Sequence, residues 1–426
     1  MSGDTIFALS SGRPPAAVAV IRSSGPGAIA AGRALAGALP EPRRAALREL
    51  RDPASGALID RALVLRFDGP ASATGEDVVE YQCHGGRAVV EAVLAALAGQ
   101  PGLRAAEPGE FTRRAFANSR IDLTEAEGLA DLLEAETESQ RRAALLMAEG
   151  GLKAQVAGWR RRLVDLSARA EAAIDYVGDE DEVPADEAVL AAEAKALAAE
   201  LGEWLARPRA EPLKEGVRVV VAGPPNAGKS SLVNALAEAD KAIVTDIPGT
   251  TRDAIEVPLS LDGLPLLLVD TAGLRVSDDA VEAIGVARAE GQLGRADLVL
   301  WLGEPVTAPD LPRLLRIHAQ CDRRGPGPEG SLAVSAWTRE GLDALARRIV
   351  AEARQVLPAE GDLALNRRQA QELSEACAAL GDADATDILR TAEALRLARS
   401  AFDRLSGRAG VEDMLDALFG RFCLGK

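Results

Sequence analysis

Residues 223–230, GPPNAGKS, have the composition and spacing of a loop that binds phosphate groups. They fit G-x-x-x-x-G-K-S and follow VRVVVA at 217–222, an apolar run that favours a buried strand leading into the loop. Glycines let backbone N–H groups curl around phosphate oxygens, Lys229 can reach the β and γ oxygens, and Ser230 can coordinate Mg²⁺. The helix predicted after the loop adds the positive end of its dipole. The predicted nucleotide contacts are Asn226, Ala227, Gly228, Lys229, Ser230 and Ser231.

Two later segments carry residues that would complete a nucleoside triphosphate site. TDIPGTTRD at 245–253 places Thr250 and Thr251 in a Gly/Pro loop, where threonine oxygens could coordinate Mg²⁺. The apolar run LPLLLV at 264–269 leads into Asp270-Thr271-Ala272-Gly273, where the carboxylate can hold the Mg²⁺ shell and the last N–H can meet the γ-phosphate. The predicted contacts here are Thr245, Asp246, Ile247, Pro248, Gly249, Thr250, Thr251, Asp270, Thr271, Ala272 and Gly273.

A third segment, AVSAWTREGL at 333–342, reads as a strand that ends at Ser335 and Ala336 and is followed by a helix. By itself it would be interpreted as an ordinary strand–helix turn. The order of these segments together resembles a GTPase of the translation-factor class, and not an ATPase.

The expected guanine-reading motif, Asn-Lys-x-Asp, is degenerate in this chain. Counting back from Ser335, the equivalent stretch is LLRIHAQCD at 314–322, with Ala319 and Gln320 where Asn and Lys belong and Asp322 retained. A carboxylate accepts from guanine N1–H and the 2-amino group, a contact that adenine cannot offer. We therefore expect guanine to be preferred, with weaker nucleotide binding than a full motif gives.

The catalytic machinery also departs from the Ras pattern. Leu274 follows Gly273 where a Ras-like enzyme has a water-orienting glutamine, and a leucine cannot polarise water. Asn226 is a candidate cation ligand, although a loop asparagine can also bond its own backbone. Glu282 is a candidate water-orienting acid, although its spacing alone favours a solvated helix carboxylate.

The segment RFCLGK at 421–426 places Cys423 near the end of a chain with four cysteines. Prenylation needs an aliphatic ending after the cysteine, which Gly425 and Lys426 do not supply. Two interpretations remain: an inert residue in a docked tail held by Phe422 and Leu424, or a thiol presented for chemistry. The four cysteines show neither C-x-x-C pairing nor metal spacing, which disfavours a disulfide framework or a zinc site.

Composition restricts the classes of partner. The formal net charge of −16 argues against a broad electrostatic grip on nucleic acid, although a local basic patch or an RNA-binding partner would still serve. The first residues lack the basic and apolar regions of a signal peptide, and no uncharged run of about 18 residues occurs. The expectation is a cytoplasmic protein without a membrane span.

Changes in residue composition and hydrophobic pattern along the chain predict a multidomain α/β and α protein. Residues 1–118 mix strands, such as 16–22 and 62–67, with a helix at 85–99. Residues 119–213 are rich in Ala, Glu, Leu and Arg, which favours long amphipathic helices broken by the acidic stretch 178–187. A strand–loop–helix pattern occupies 214–356, and Ala-rich helices return at 357–426. The pattern predicts one discontinuous helical domain interrupted by another domain.

The whole chain resembles the MnmE (TrmE) family of bacterial tRNA modification GTPases. The resemblance is carried by motifs in all three regions. They are DTIFALSSG, GEDVVEYQCHGG, PGEFTRRAFANSRIDLTEAEGLADLL, EAAIDY, GPPNAGKSSLVNAL, AIVTDIPGTTRD, DTAGLR and FCLGK.

The resemblance implies an N-terminal α+β domain that binds a tetrahydrofolate derivative, methylene- or formyl-, and forms a homodimer. It also implies a helical domain into which a Ras-like G domain is inserted. Such enzymes work with an FAD-dependent partner in a heterotetramer. Together they add an aminomethyl-type group, such as carboxymethylaminomethyl, to C5 of the tRNA wobble uridine, and GTP hydrolysis is stimulated by K⁺.

Individual roles follow from the same resemblance. Asn226, Thr245, Ile247 and Thr250 match K⁺ ligands, and K⁺ would replace an arginine finger at the transition state. Ser230 and Thr251 match Mg²⁺ ligands, and Glu282 matches the water-positioning glutamate. The resemblance also favours Cys423 as a thiol for chemistry at the folate site. The positions that match folate contacts are Arg22, Glu80, Arg120 and Lys426.

The alternative is a regulatory or ribosome-assembly GTPase without modification chemistry. Only the nucleotide motifs support that reading.

Overall fold

The computed structural model describes residues 3–175, 187–239, 255–270, 291–409 and 412–420, together with 422 and 425. The chain divides into two compact units. The first comprises Met1–Ala130 with Ser406–Lys426, and the second comprises Asp131–Leu405. The domain limits expected after residues 118, 213 and 356 divide the chain differently and stay predictions.

The strands form two groups, one in the first unit and one in the middle of the chain. In chain order the strands are β1 (Thr5–Leu9), β2 (Val18–Ser24), β3 (Ala46–Arg51), β4 (Leu58–Phe67), β5 (Val78–His84), β6 (Leu103–Ala105), β7 (Val217–Ala222), β8 (Ile255–Leu261), β9 (Leu264–Asp270), β10 (Leu298–Trp301), β11 (Leu314–Ala319) and β12 (Leu332–Val334).

The helices are concentrated between and after the two groups of strands. They are α1 (Ala28–Ala36), α2 (Arg87–Ala98), α3 (Glu110–Ala117), α4 (Leu123–Glu134), α5 (Glu138–Ala148), α6 (Gly151–Asp175), α7 (Glu187–Leu205), α8 (Glu211–Glu215), α9 (Lys229–Ala239), α10 (Cys321–Arg324), α11 (Leu342–Ala353), α12 (Arg367–Gly381), α13 (Ile388–Leu405) and α14 (Glu412–Phe419).

A six-stranded sheet with the order β3-β4-β5-β2-β1-β6 forms the first unit. Its strands pair antiparallel except for β1 and β6, which are parallel. The buried residues of α1 and α2 pack with strand side chains such as Ile21 and Tyr81, because alternate strand residues point to the helix-covered face. Strand β2 begins and ends two residues later than the predicted 16–22, and β4 begins four residues before the predicted 62–67.

The second unit contains another six-stranded sheet, with the order β12-β11-β10-β7-β9-β8. Its pairs are parallel apart from the hairpin of β8 and β9. Asp262 and Gly263 form that hairpin turn with φ of 51° and 74°, the left-handed conformation that an Asp-Gly turn favours. Strands β7 and β9 are nearly continuous apolar runs because helices cover parallel sheets on both faces.

The helical core joins segments from before and after this sheet. Buried residues of α6 and α7 pack with those of α12 and α13 in one cluster. At its centre the rings of Trp159 and Trp204 meet edge to face at 5.3 Å, and Phe402 stacks on Trp159 at 6.1 Å. The discontinuous helical arrangement expected from the sequence is therefore confirmed.

Across the described part of the chain, no helix has the length and apolar character needed to cross a membrane.

Candidate nucleotide and folate sites

The loop from Gly223 to Gly228 joins the end of β7 to the first residue of α9, as the sequence predicts. Gly223, Asn226 and Gly228 have φ of 146°, 62° and 94°, so the chain curls through conformations that most side chains avoid. A Cβ on Gly223 would lie 3.1 Å from the carbonyl carbon of Leu302, so that glycine is needed for close packing as well. The backbone therefore has the curled form that a phosphate-binding loop requires.

Lys229 is held inside this loop. Only 7% of its surface is exposed, and its Nζ donates to the carbonyl oxygens of Gly223 and Pro224, both at 2.9 Å. The carbonyls stabilise a buried ammonium that would otherwise be costly. The positive charge is thus fixed at the loop, beside the N-terminus of α9, where an anionic phosphate would be stabilised.

Two oxygen-bearing residues lie near the same edge of the sheet. Asp270 is the last residue of β9, pairs in register with Val221 of β7, and is 1% exposed. Ser230 is exposed in the first turn of α9. A carboxylate and a hydroxyl are hard oxygen donors of the kind that Mg²⁺ binds, so the residues present fit this ion.

Several predicted site residues lie outside the described part of the chain, and their roles stay predictions. They are Thr245, Asp246, Ile247, Pro248, Gly249, Thr250, Thr251, Thr271, Ala272, Gly273, Glu282, Cys423 and Lys426. Leu274 and the acidic stretch as far as residue 186 also lie outside it.

A cavity of about 250 Å³ adjoins the phosphate-binding loop. Its lining brings together Gly228 and Ser231 of the loop and α9, Asp322 of α10, and Ala336. Strand β11 ends at Ala319, and Gln320 then turns the chain into α10 with φ of 60°. Asp322 and Ala336, two of the predicted base-contacting residues, therefore line one cavity that also includes Gly228 of the loop.

Ser335 lies between Val334 and Ala336, which line the cavity, but Ser335 itself does not line it. It is fully buried, its N–H donates to the carbonyl of Glu340, and its Oγ accepts from the Thr338 N–H at 3.1 Å. The hydroxyl thus stabilises the loop before α11. Sequence analysis overlooked Trp337, which also lines the cavity, although its position directly after Ala336 was a usable signal.

Arg22 and Glu80, two predicted folate contacts, are brought together in the first unit. Arg22 Nε and Nη2 lie 2.8 and 2.7 Å from Glu80 Oε1, and the guanidinium carbon is 5.7 Å from the centre of the Phe111 ring. Arg120 belongs to the same unit. Its side-chain carbons pack over Gly75, where a Cβ would approach within 3.2 Å.

A buried charge network that sequence analysis did not predict surrounds Arg114. Its guanidinium forms ion pairs with Asp4, Glu76 and Glu110, and Arg104 forms ion pairs with Asp4 and Glu110. Burial acts to raise the pKa of Glu110, but hydrogen bonds from Arg104, the N–H of Glu107 and Arg114 outweigh it, so the pKa is lowered. The carboxylate is therefore held ionised within the network.

The terminal segment is anchored on both sides of Cys423 and Leu424. Phe422 is 4% exposed and belongs to an apolar cluster with Ala126, Ala130 and Phe419. Gly425 has φ of 92°, and a Cβ there would clash with the carbonyl oxygen of Leu9. The docking expected of Phe422 is seen, and the chemistry expected of Cys423 stays a prediction.

The described residues contain no group of three or more His, Cys, Asp or Glu side chains that could hold a metal ion. Cys83, Cys321 and Cys377 are free thiols. Burial raises the pKa of Cys83 and Cys377, which suits inert thiols and not nucleophiles.

Protein-family models and full-length relatives match nearly the whole chain. The family described as "GTP-binding protein TrmE N-terminus" matches residues 5–120, and the "MnmE helical domain" family matches residues 123–423. The tRNA modification GTPase MnmE of Novosphingobium aromaticivorans is 56% identical, with 99% of this chain and 100% of that protein aligned. The protein of the same description from Erythrobacter litoralis is 55% identical over 99% and 100%.

Two solved G domains match part of the chain. The G domain of the T. maritima FeoB iron transporter is 27% identical over 32% of this chain and 98% of that one, with a TM-score of 0.25. The FeoB G domain from Methanococcus jannaschii is 18% identical over the same shares, with a TM-score of 0.24.

Proposed function

The chain belongs to the MnmE (TrmE) family of tRNA modification GTPases, and we propose that it hydrolyses GTP during the modification of the tRNA wobble uridine. The observation that carries this proposal is the curled loop with its buried Lys229. The loop lies at the end of the strand that pairs with the strand ending in Asp270. A loop of this kind is suited to hold phosphates and has little use in a purely structural protein.

In the proposed nucleotide chemistry, the protein positions the triphosphate and stabilises its charge. Loop N–H groups and the Lys229 ammonium would bind the β and γ oxygens, and Ser230, Thr251 and Asp270 would hold Mg²⁺ at the phosphates. Asn226, Thr245, Ile247 and Thr250 would hold K⁺, which supplies positive charge opposite the phosphates when it is bound. Glu282 positions the attacking water, because Leu274 cannot.

In the proposed modification, a tetrahydrofolate derivative (methylene- or formyl-) supplies one carbon to C5 of the wobble uridine. Arg22, Glu80, Arg120 and Lys426 are its proposed contacts. A folate has a polar pterin and an anionic tail, and the partly exposed Arg22–Glu80 pair offers both a cation and an acid to such a molecule. Cys423 is the proposed thiol for this chemistry.

The proposed assembly is a homodimer that works with an FAD-dependent partner as a cytoplasmic heterotetramer. Leu47 of β3 and Leu63 of β4 lie at directly paired positions and are 62% and 43% exposed. Paired exposed leucines on a sheet suit an interface. The net charge of −16 indicates that tRNA is bound through a local basic patch or through the partner.

Mass spectrometry of wobble nucleosides from a strain that lacks this gene tests the proposal. The intact gene should restore the modified uridine, and Lys229→Ala should abolish GTP hydrolysis by the purified protein. If deletion leaves the wobble uridine fully modified while the protein still hydrolyses GTP, the regulatory or ribosome-assembly function is the correct one.

A further inference from the structure

Trp337 is a large aromatic side chain that the fold leaves almost uncovered. Its exposed fraction is 85%, whereas the two tryptophans of the helical core, Trp159 and Trp204, are 1% and 8% exposed. An indole at the wall of a cavity offers a flat aromatic surface on which a ligand can pack. Trp337 lines the cavity next to the phosphate-binding loop.

The cavity has the chemistry of a site for a flat ring attached to phosphates. Gly228 belongs both to its wall and to the phosphate-binding loop, so one molecule can occupy both regions. Ala319, Val334 and Ala336 supply apolar surface, while Asp322, Glu238 and Arg323 supply charge. Such a mixture suits a nucleobase, which has apolar faces and a polar edge.

In a full Asn-Lys-x-Asp motif, the lysine stem provides an apolar surface for the base. This surface is smaller in the present chain. Gln320 occupies the lysine position and has a shorter stem than the four-carbon chain that packs over the ring. Its Nε2 lies 3.3 Å from where a Cβ of Gly228 would be, so the amide reaches the phosphate-binding loop. Trp337, from the neighbouring loop after β12, supplies a larger flat surface to the same cavity.

We propose that Trp337 stacks on the purine ring of the bound nucleotide and thereby compensates for the degenerate motif. The proposal rests on the proposed GTP site. Stacking does not distinguish purines, because each has a π face. Asp322 distinguishes them by accepting from N1–H and the 2-amino group. Trp337 is thus a positioning residue for the base, and Asp322 is the reader.

Calorimetric titration of the full-length protein with GDP tests the stacking role. Trp337→Ala should weaken GDP binding roughly tenfold or more, and Trp337→Leu should also weaken it, because neither has an aromatic face. Trp337→Phe should keep most of the affinity. Val306→Ala is the matched control, because Val306 is an equally exposed apolar residue (90%) of the same unit that does not line the cavity.

Two further ligands separate stacking from other effects. Inosine diphosphate lacks the 2-amino group, so Trp337→Ala should weaken it and GDP by the same factor, whereas Asp322→Asn should reduce the preference for GDP. Tripolyphosphate has no base, and its affinity should be the same for the unmodified protein and Trp337→Ala. A changed tripolyphosphate affinity would show that the substitution had disturbed the loop, and would overturn the stacking role.

Unchanged GDP affinity in both Trp337→Ala and Trp337→Leu would overturn the stacking proposal and leave the GTP site intact. If the unmodified protein does not bind GDP, or binds ADP equally well, the proposed nucleotide function itself is wrong.

Discussion

Arg22 and Glu80 occupy directly paired positions on the antiparallel strands β2 and β5, with Arg22 Nη2 2.7 Å from Glu80 Oε1. The sheet register fixes the separation of the two backbones, so the pair is placed by the fold and not by a loop. Their side chains are 24% and 16% exposed, so the pair is partly open to solvent. A ligand with both acidic and donor groups could engage the pair without rearranging the strands.

Removal of the Arg22 charge should weaken folate binding without changing GTP hydrolysis. Arg22→Met keeps most of the stem but deletes the donors, and a lost hydrogen bond to a charged group costs about 1.5–3 kcal/mol, or at least tenfold in affinity. Calorimetry with tetrahydrofolate measures the effect. Arg33→Met, on the exposed surface of α1, is the control. Equal tetrahydrofolate affinity in both variants would exclude Arg22 from the site.

Potassium should accelerate GTP turnover strongly when it replaces sodium. Asn226 has φ of 62°, so Asn226→Ala removes the side-chain oxygen but also adds backbone strain of about 1 kcal/mol. Asn226→Gly removes the same oxygen without that strain. Both variants should lose the response to K⁺, as measured by phosphate release in KCl and NaCl. Equal rates of the unmodified protein in the two salts would contradict a K⁺ role.

Cys423→Ser should abolish wobble modification while GTP hydrolysis stays near normal. Phe422 and Gly425 anchor the segment in the first compact unit, whereas the phosphate-binding loop belongs to the second. Cys377→Ser is the matched control, because a serine can replace the thiol that donates to the carbonyl of Ala198 at 3.3 Å. Modified uridine at normal levels in the Cys423 variant would indicate that the tail has only a packing role.

The network around Glu110 should make the first unit less stable in acid. The folded-state pKa of Glu110 is lowered from 4.5, so its contribution is complete above that pH and is lost as pH falls through the lowered pKa. Glu110→Gln should reduce the free energy of unfolding by about 1.5–3 kcal/mol at pH 7, and by progressively less below pH 4.5.

Hydrogen exchange of amides in α3 and β1, followed from pH 7 to pH 3, measures that difference. Glu107→Gln, at an exposed neighbouring carboxylate, is the control. A destabilisation by Glu110→Gln that does not change with pH would show that packing, and not charge, is responsible.

Restoring the full guanine motif should tighten nucleotide binding. Ala319→Asn combined with Gln320→Lys adds one or two hydrogen bonds, each worth about 0.5–1.5 kcal/mol, so GDP should bind about twofold to about 150-fold more tightly. The modified nucleoside should be unchanged. Titration with GDP and ADP checks this. Similar affinities of the unmodified protein for both would mean that Asp322 does not read the base.

Local sequence patterns predicted the nucleotide loop well. Strand β7 covers the predicted 217–222, and α9 begins at Lys229, because glycine spacing and a continuous apolar run are short-range signals. The strand predicted to end at Ser335 and Ala336 is also confirmed, although it ends at Val334.

Contacts between distant parts of the chain could not be predicted in this way. Arg114 meets Asp4 and Glu76, and Gly425 packs against Leu9, because the fold brings separate segments together. No periodicity in α3 or in the terminal segment identifies those partners. The sequence did not predict the stacking surface of Trp337 for a related reason. The exposure of a side chain depends on which other segments of the chain pack against it.

The positions of the tryptophans allow intrinsic fluorescence to report on two parts of the protein. All four lie in the second unit, where Trp159 is buried beside Trp204 and Trp337 is in water. Buried indoles emit at shorter wavelengths than hydrated ones, so the blue part of the fluorescence spectrum should report mainly on the helical core and the red part on the cavity. The partly buried Trp301 should contribute between the two. One unlabelled sample should therefore show, at two wavelengths, whether a nucleotide is bound and whether the helices remain folded.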